Sequence, residues 1–306
     1  MNYYIIAGEA SGDLHGSNLM KALLNKDVNA NFRFWGGDLM QEVSDGLVKH
    51  YKELAFMGFL EVIMNLKTIS KNLSFCKEDI LNYNPDVIIF IDYPGFNLRI
   101  AKWAKQKGFK THYYISPQIW AWKENRINDI KRDVDKMYVI LPFEKTFYEN
   151  KHHYPVEFVG HPLLDAIAHR TQVDEYEFRK QYALSDKPII ALLPGSRKQE
   201  IKTMLPNMMK LAQAYPQYEF VICAAPSIKP DFYQTFIGTN TKIIYNKTYE
   251  VLHLAKAAIV CSGTATLETA LFKVPEVVCY KGNWISYQIA KRIITLKYIS
   301  LVNLIM

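Results

Sequence analysis

The plainest chemical feature of the chain is a single carboxylate delivered at the end of an apolar run, Ile88-Ile89-Phe90-Ile91-Asp92, followed by Tyr93-Pro94-Gly95-Phe96-Asn97. Proline and glycine force a turn there. Asp92 therefore stands at a strand terminus, either as a general base for an acceptor hydroxyl or as the cap of a helix starting near Phe96. Gly8-Glu9-Ala10-Ser11-Gly12-Asp13-Leu14-His15-Gly16 also follows an apolar run and leads into a helical pattern near Leu14. A glycine-rich turn before a helix presents backbone N–H groups to an anion or a sugar hydroxyl. Its glycine spacing departs from the dinucleotide-binding G-x-G-x-x-G, and a tight turn capped by Ser11 or Asp13 is the ordinary alternative. In the second half, Leu192-Leu193-Pro194-Gly195-Ser196-Arg197 puts an arginine in the first turn of a helix, where the dipole is already positive. Either an anion lies nearby, gripped bidentately by the guanidinium, or Arg197 pairs with Glu200 on the surface. Cys261-Ser262-Gly263-Thr264-Ala265-Thr266-Leu267-Glu268 reads as a capping arrangement or as a phosphate loop in which Glu268 accepts ribose hydroxyls. Ser116-Pro117-Gln118-Ile119-Trp120-Ala121-Trp122 sets two indoles close together in a proline-started loop, as core packing or as an aromatic wall.

Short β-branched or aromatic runs between longer helix-like stretches must position these residues. Tyr3 to Ala7, Val87 to Ile91, Thr111 to Ile115 and Met137 to Leu141 belong to the first half; Pro188 to Leu193, Glu219 to Ala224, Lys242 to Tyr245, Ala258 to Cys261 and Glu276 to Tyr280 to the second. This alternation predicts an α/β protein of two Rossmann-like parallel-sheet domains, residues 1–165 and 166–306. Parallel sheets bind ligands beyond the carboxyl ends of their strands, and two facing sheets make an interdomain cleft.

Composition excludes several other classes. The 306 residues are 49% hydrophobic and 22% charged, which suits a globular protein of two domains. Four cysteines without a CxxC pair argue against a disulfide framework or a zinc ribbon and for a reducing compartment. With no HxxxH or HExxH, no metal is expected, and Asp133-Val134-Asp135 reads as solvated charge. No GxSxG supports hydrolase chemistry. The net charge of +7 fits anionic substrates or anionic lipid, and the absence of a dense basic block with aromatics argues against nucleic acid. No uncharged run is long enough to span a bilayer, and the first apolar run is too short for a signal peptide, so a cytoplasmic protein is expected. Leu54 to Ile69 forms a helix pattern that is apolar around most of its circumference, with Glu61, Asn65 and Thr68 as a narrow polar stripe. Such a helix is either internal or interfacial.

Taken together, GEASGDLHG at Gly8 to Gly16, Met57-Gly58-Phe59-Leu60-Glu61-Val62, IDYPGFN at Ile91 to Asn97, PQIWAW at Pro117 to Trp122, GHPL at Gly160 to Leu163, LLPGSR at Leu192 to Arg197 and SGTATLE at Ser262 to Glu268 resemble lipid-A-disaccharide synthase over nearly the whole chain. The resemblance implies a GT-B fold with an interdomain active site. It also implies transfer of 2,3-diacylglucosamine from UDP-2,3-diacylglucosamine to 2,3-diacylglucosamine 1-phosphate with inversion, giving lipid A disaccharide 1-phosphate and UDP. No metal or cofactor is implied. By the same resemblance Asp92 is the catalytic base. Gly195, Ser196, Arg197, Ser262, Gly263, Thr264, Thr266, Glu268 and Asn303 hold the UDP-sugar, and Gly8, Glu9, Ser11, Gly12 and Asp13 border the acceptor.

Diacylated substrates leave a bilayer at an apolar surface, so Met57, Phe59, Leu60 and Ile63 are expected at the membrane and acyl chains. The basic C-terminal region adds attraction to the anionic inner face of the inner membrane. Family members continue past the segment that Leu301 to Ile305 resembles, which implies that the C-terminal segment is lacking and the second domain incomplete. That segment contributes to dimerisation in the family, and a homodimer is left open. Two competing expectations are a truncated, non-catalytic fragment that binds nucleotide-sugar or lipid, and a UDP-sugar epimerase on the same fold.

Overall fold

The structure is a computed structural model that describes residues 1–54, 66–168, 173–226, 228–236, 241–281, 300 and 303. Met57, Phe59, Leu60 and Ile63, with most of the apolar helix pattern expected over Leu54 to Ile69, lie outside the described residues. Two compact units divide at Pro162 and Leu163, where the sequence pattern put the boundary near residue 165.

In the first unit β1 (Asn2–Ala7), β2 (Asn31–Gly36), β3 (Leu47–His50), β4 (Val87–Ile91), β5 (Thr111–Tyr114), β6 (Lys136–Val139) and β7 (Glu157–Phe158) form one sheet. Their spatial order is β3-β2-β1-β4-β5-β6-β7, and every pairing is parallel. All of β4 and all of β1 after Asn2 are buried, as expected of parallel strands covered on both faces. The chain builds outward from β1 to β3, then crosses back to lay β4 on the other side of β1. The register pairs Ala7 with Ile91, so the next residues, Gly8 and Asp92, leave the sheet side by side.

The second unit repeats the plan with β8 (Ile189–Leu193), β9 (Glu219–Ala224), β10 (Lys242–Tyr245), β11 (Ala255–Cys261) and β12 (Glu276–Cys279). Their order is β10-β9-β8-β11-β12, again all parallel. The reversal falls between β8 and β11, where Leu193 pairs with Val260. Helix Leu163–Ala168 packs Leu163 against Leu267 within this unit. Among the described residues no helix is long and apolar enough to cross a membrane.

Three local expectations are corrected. The strands β2 and β3 are not in the sequence reading, because Arg33 interrupts Phe32, Phe34 and Trp35 and hides the apolar run. Arg33 instead reaches Asp79 of helix Leu66–Tyr83, with Nε to Oδ2 at 2.8 Å. Asp79 also accepts from Tyr4 Oη at 2.7 Å, and Trp35 Nε1 donates to that hydroxyl at 2.9 Å. Second, Asp133 is buried, with Arg132 Nε donating to its Oδ1 at 2.7 Å, and its backbone carbonyl accepts from Thr111 Oγ1 at 2.8 Å; Asp135 is exposed, as the solvated-charge reading has it, and also accepts from the Thr111 N–H at 3.0 Å. Third, the helix after β1 begins at Ala10, ahead of Leu14.

Gly46 enters β3 with its carbonyl accepting from Phe34 N–H at 2.9 Å. A Cβ there would lie 1.8 Å from the Phe32 carbonyl oxygen, a backbone atom that cannot turn away. Gly46→Ala is expected to destabilise the first unit by at least ~1–3 kcal/mol, the usual range for overpacking. Urea denaturation checks it, and an unchanged midpoint would show that β2 and β3 separate at little cost.

Candidate active site

The first unit gathers its chemistry at the exits of β1, β4, β5 and β6. After β1, Gly8 lies under the Tyr93 ring, where a Cβ would stand 2.4 Å from ring carbons. Glu9 is exposed and forms the N-cap of helix Ala10–Leu24 without a side-chain cap bond. Neither Ser11 nor Asp13 caps this helix. Gly12 and Gly16 lie inside it, and a Cβ on Gly12 would come within 3.0 Å of Ala7 Cβ, so these glycines serve close helix-on-strand packing. Ser11 is half-buried. Asp13 is buried and turned toward the exit of β2, accepting from Gly37 N–H at 2.8 Å, Met40 N–H at 3.0 Å and Leu39 N–H at 3.1 Å. It thereby caps the short helix Asp38–Gln41.

Asp92 takes a left-handed backbone conformation, φ 45°, and Tyr93 follows with φ 50°. Two successive non-glycine residues there cost of order 1–3 kcal/mol each, and such strain clusters at functional sites. The turn is pinned by its own carbonyl: Asp92 C=O accepts from Tyr113 Oη at 2.6 Å and from Asn97 Nδ2 at 2.7 Å. Helix Pro94–Gln106 starts without a side-chain cap bond, its N-cap being Tyr93. The Asp92 carboxyl is thus not the cap. It is half-buried, and its pKa is pushed up to about 7, first by burial and then by the charge of Glu9, with the Tyr93 amide acting the other way and Glu144 adding to the rise.

Glu144 escaped the sequence reading, although a glutamate at the third position of a proline-started helix, Pro142–Thr146, is a capping signal. It is 1% exposed and accepts four hydrogen bonds. Ile140 and Leu141 N–H reach Oε2 at 3.0 and 2.9 Å, while Ser116 Oγ and Trp120 Nε1 reach Oε1 at 2.6 and 3.2 Å. One carboxylate therefore ties the exits of β5 and β6 to the tryptophan loop. Trp120 is half-buried with its ring edge-on to Phe143, and Trp122 is exposed.

In the second unit the turns Pro194–Arg197 and Ser262–Gly263 leave the neighbouring strands β8 and β11, and helices Lys198–Ala214 and Thr264–Leu271 start from them. Two helix N-termini face the same edge of the sheet, a favourable place for anions. Gly195 is left-handed, φ 113°, and a Cβ there would meet Glu200 Oε2 at 2.6 Å. Glu200 Oε2 accepts from Ser196 N–H at 3.1 Å and Arg197 N–H at 3.3 Å, and Oε1 lies 3.3 Å from an Arg197 guanidinium nitrogen. Arg197, 48% exposed, thus adopts the surface pair with Glu200. Both Arg197 and Glu200 are near enough to Cys261 to influence its thiol, which links the two turns.

Ser262 is half-buried, with its N–H on Cys279 C=O at 2.9 Å, and Gly263 and Thr264 are exposed. Thr266 is buried; its Oγ1 donates to Gly263 C=O at 2.8 Å and accepts from Ser300 Oγ at 3.0 Å. Glu268 accepts from Tyr249 Oη at 2.7 Å, and burial raises its pKa against that hydrogen bond. Asn303 is exposed. Among the described residues no group of three His, Cys, Asp or Glu side chains could hold a metal ion.

Two parallel α/β units, each with its candidate groups at a point where strand order reverses, define a protein of the GT-B fold. The fold is shared with the UDP-GlcNAc 2-epimerase of Neisseria meningitidis, at a TM-score of 0.66 and 13% identity over 100% of this chain and 90% of that one. The chain belongs to the lipid-A-disaccharide synthetase family, whose model matches residues 3–306. It is 42% identical to the lipid-A-disaccharide synthase of Coxiella burnetii over 98% of this chain and 81% of that protein. It is 41% identical to lipid-A-disaccharide synthase 1 of Legionella pneumophila, over 98% and 80%. It is accordingly a glycosyltransferase of lipid A biosynthesis.

The raised Asp92 pKa gives stability a definite pH dependence. Between the ordinary carboxyl value of 3.8 and about 7 the folded state holds a proton that the unfolded chain has lost, so this contribution is complete below the lower value and is lost as pH rises through about 7. His15, held down to about 4 by burial and then by His161, acts in the opposite direction over part of this range, and only a difference between variants isolates Asp92. Relative to Asp92→Asn, the wild type should lose stability by at most ~1.4 kcal/mol per pH unit across that window. Parallel denaturation curves from pH 4 to about 8 check this; a constant difference would mean that Asp92 ionises normally.

Proposed function

We propose that the chain transfers 2,3-diacylglucosamine from its UDP conjugate to the 6-hydroxyl of 2,3-diacylglucosamine 1-phosphate with inversion, releasing UDP and lipid A disaccharide 1-phosphate. Asp92 carries this reading, because a half-buried carboxyl with a pKa near neutrality, at a pinned and strained strand exit, suits a general base at pH 7. It takes the acceptor hydroxyl proton as that oxygen attacks the anomeric carbon in line, and the bond to UDP breaks with its electron pair leaving on the phosphate. A single displacement inverts the centre and needs one carboxylate in this role, by partial analogy with inverting glycosidases.

The donor's diphosphate goes to Arg197 and to the helix starts around Gly195, Ser196, Ser262, Gly263, Thr264 and Thr266, with Glu268 accepting ribose hydroxyls and Asn303 contributing to the same substrate. Arg197 and Glu200 form an exposed pair of the kind worth little in water, so phosphate oxygens can displace the carboxylate. Positive charge from Arg197 and two helix dipoles stabilises the leaving diphosphate without a metal. Gly8, Glu9, Ser11, Gly12 and Asp13 border the acceptor in this reading; the exit of Gly8 and Glu9 from β1 next to Asp92 supports it, while Asp13 is turned inward and holds the β2 exit. The protein works as a peripheral enzyme on the anionic inner face of the inner membrane, through Met57, Phe59, Leu60 and Ile63, a reading supported by the net charge of +7 and the acylated substrates. Likeness to epimerases at 13% identity carries the fold alone and does not favour that activity over the one named for relatives at 42%.

Asp92→Asn should lower the rate of transfer by roughly 10²- to 10⁴-fold while leaving UDP binding intact. Near wild-type turnover of the purified variant would remove Asp92 from the mechanism. Arg197→Ala should weaken UDP binding by about 1.5–3 kcal/mol, the range for a charge-assisted contact, and calorimetry with unchanged affinity would refute its assignment.

A further inference from the structure

Trp122 ends the loop that leaves β5 and is 43% exposed. Two cations lie against its ring: Lys123 Nζ is 4.4 Å and Arg126 Cζ 5.5 Å from the centroid. Neither has a carboxylate at ion-pair distance among the described residues. The nearby acids are engaged elsewhere, Glu124 with Lys151 at 2.6 Å and Asp129 with Arg132 at 2.8 Å. Lys123 is further held in a left-handed conformation, φ 54°, a strain that accumulates at functional sites. Burial, and then the charge of Arg126, depress its pKa. Two cations held at one aromatic ring with no ion-pair partner among the described residues are a site short of an anion. The loop that carries them leaves β5 next to the Asp92 turn: Ile91 pairs with Tyr114, whose carbonyl accepts from Asp92 N–H at 3.2 Å. The uncompensated charge is thus carried by the loop that starts beside the Asp92 turn, within the same unit.

We propose that Lys123 and Arg126, set on the ring of Trp122, bind the phosphomonoester of the acceptor sugar and so orient its free hydroxyl toward Asp92. The assignment rests on the acceptor reading above and adds a specificity site to it. Arginine supplies planar paired donors to phosphate oxygens and lysine a point charge, while the indole face suits the apolar face of a sugar ring.

The test compares kcat/KM for 2,3-diacylglucosamine 1-phosphate with that for the same sugar lacking its phosphate, in the wild type, in Arg126→Gln and in Lys123→Asn. Asparagine is chosen because it tolerates the left-handed backbone at position 123. Each variant should lose about 10- to 100-fold on the phosphorylated acceptor and little on the other, so that the wild-type preference collapses. A merely structural role would lower both rates together. Equal losses on the two acceptors, or a wild type without preference, would overturn the site. Phospholipid headgroups offer the same phosphate chemistry, and sedimentation with phosphatidylglycerol or phosphatidylcholine vesicles separates the sources. Variants that keep the acceptor preference but lose phosphatidylglycerol binding would assign the cations to the membrane and overturn the proposal. If the wild type turns over neither acceptor, the transfer reading itself fails. The site is then judged by NMR titration with glucosamine 1-phosphate against glucosamine: selective binding of the phosphorylated sugar, lost in both variants, supports it, and equal binding of the two overturns it.

Discussion

Each unit of this protein is organised by a reversal of strand order. Parallel strands need crossovers, and right-handed crossovers place successive strands on one side until the chain returns past its first strand. At that return the loops leaving two neighbouring strands diverge to opposite faces, and the crevice between them is filled by no side chain of the sheet. In the first unit the reversal separates Glu9 from Asp92, and in the second it separates the arginine turn from the serine turn. The groups with usable chemistry leave from these strand ends because the remaining backbone there is committed to the ladder.

Burial raises the proton affinity of Asp92, Glu144 and Glu268, but hydrogen bonding divides the roles of the carboxylates near these ends. Glu144 is desolvated and also saturated by four donors, so its charge is spent on holding two strand exits and the tryptophan loop. Glu268 has Tyr249. Asp13 is turned inward onto three backbone N–H groups. At Asp92 the backbone carbonyl takes the two strong donors, Tyr113 and Asn97, while the carboxyl faces the charge of Glu9. That difference, and not burial alone, gives Asp92 a proton affinity suited to exchange at neutral pH.

The helix starts of the second unit show the opposite device. Glu200 occupies the amides at the start of its own helix and pairs with Arg197, so the positive end of the dipole is neutralised by a residue of the chain. An exposed pair of this kind is worth little in water, which is what the proposed role of Arg197 toward a diphosphate draws on. In the first unit Lys123 and Arg126 have no such internal partner among the described residues, and their charge stays open.

What the sequence determined by itself was local. An apolar run closed by glycine or proline marks a strand exit wherever it occurs, and Gly8, Asp92, Gly195 and Ser262 could be placed at such exits without knowledge of their neighbours. The alternation of runs likewise determined two parallel α/β halves. Only the tertiary structure decided what these residues meet. Arg33 hid β2 because its partner Asp79 is 46 positions away. Ser116 and Glu144, 28 positions apart, meet only when β5 and β6 are side by side. The helix after β1 starts early because Gly12 packs on Ala7 once the strand is in the sheet. Strand exits are set by neighbouring residues along the chain, whereas the pKa of Asp92, the choice of Glu144 as a brace and the exposure of Arg197 depend on solvent exclusion and on partners brought in by strand order, which no short window of sequence contains.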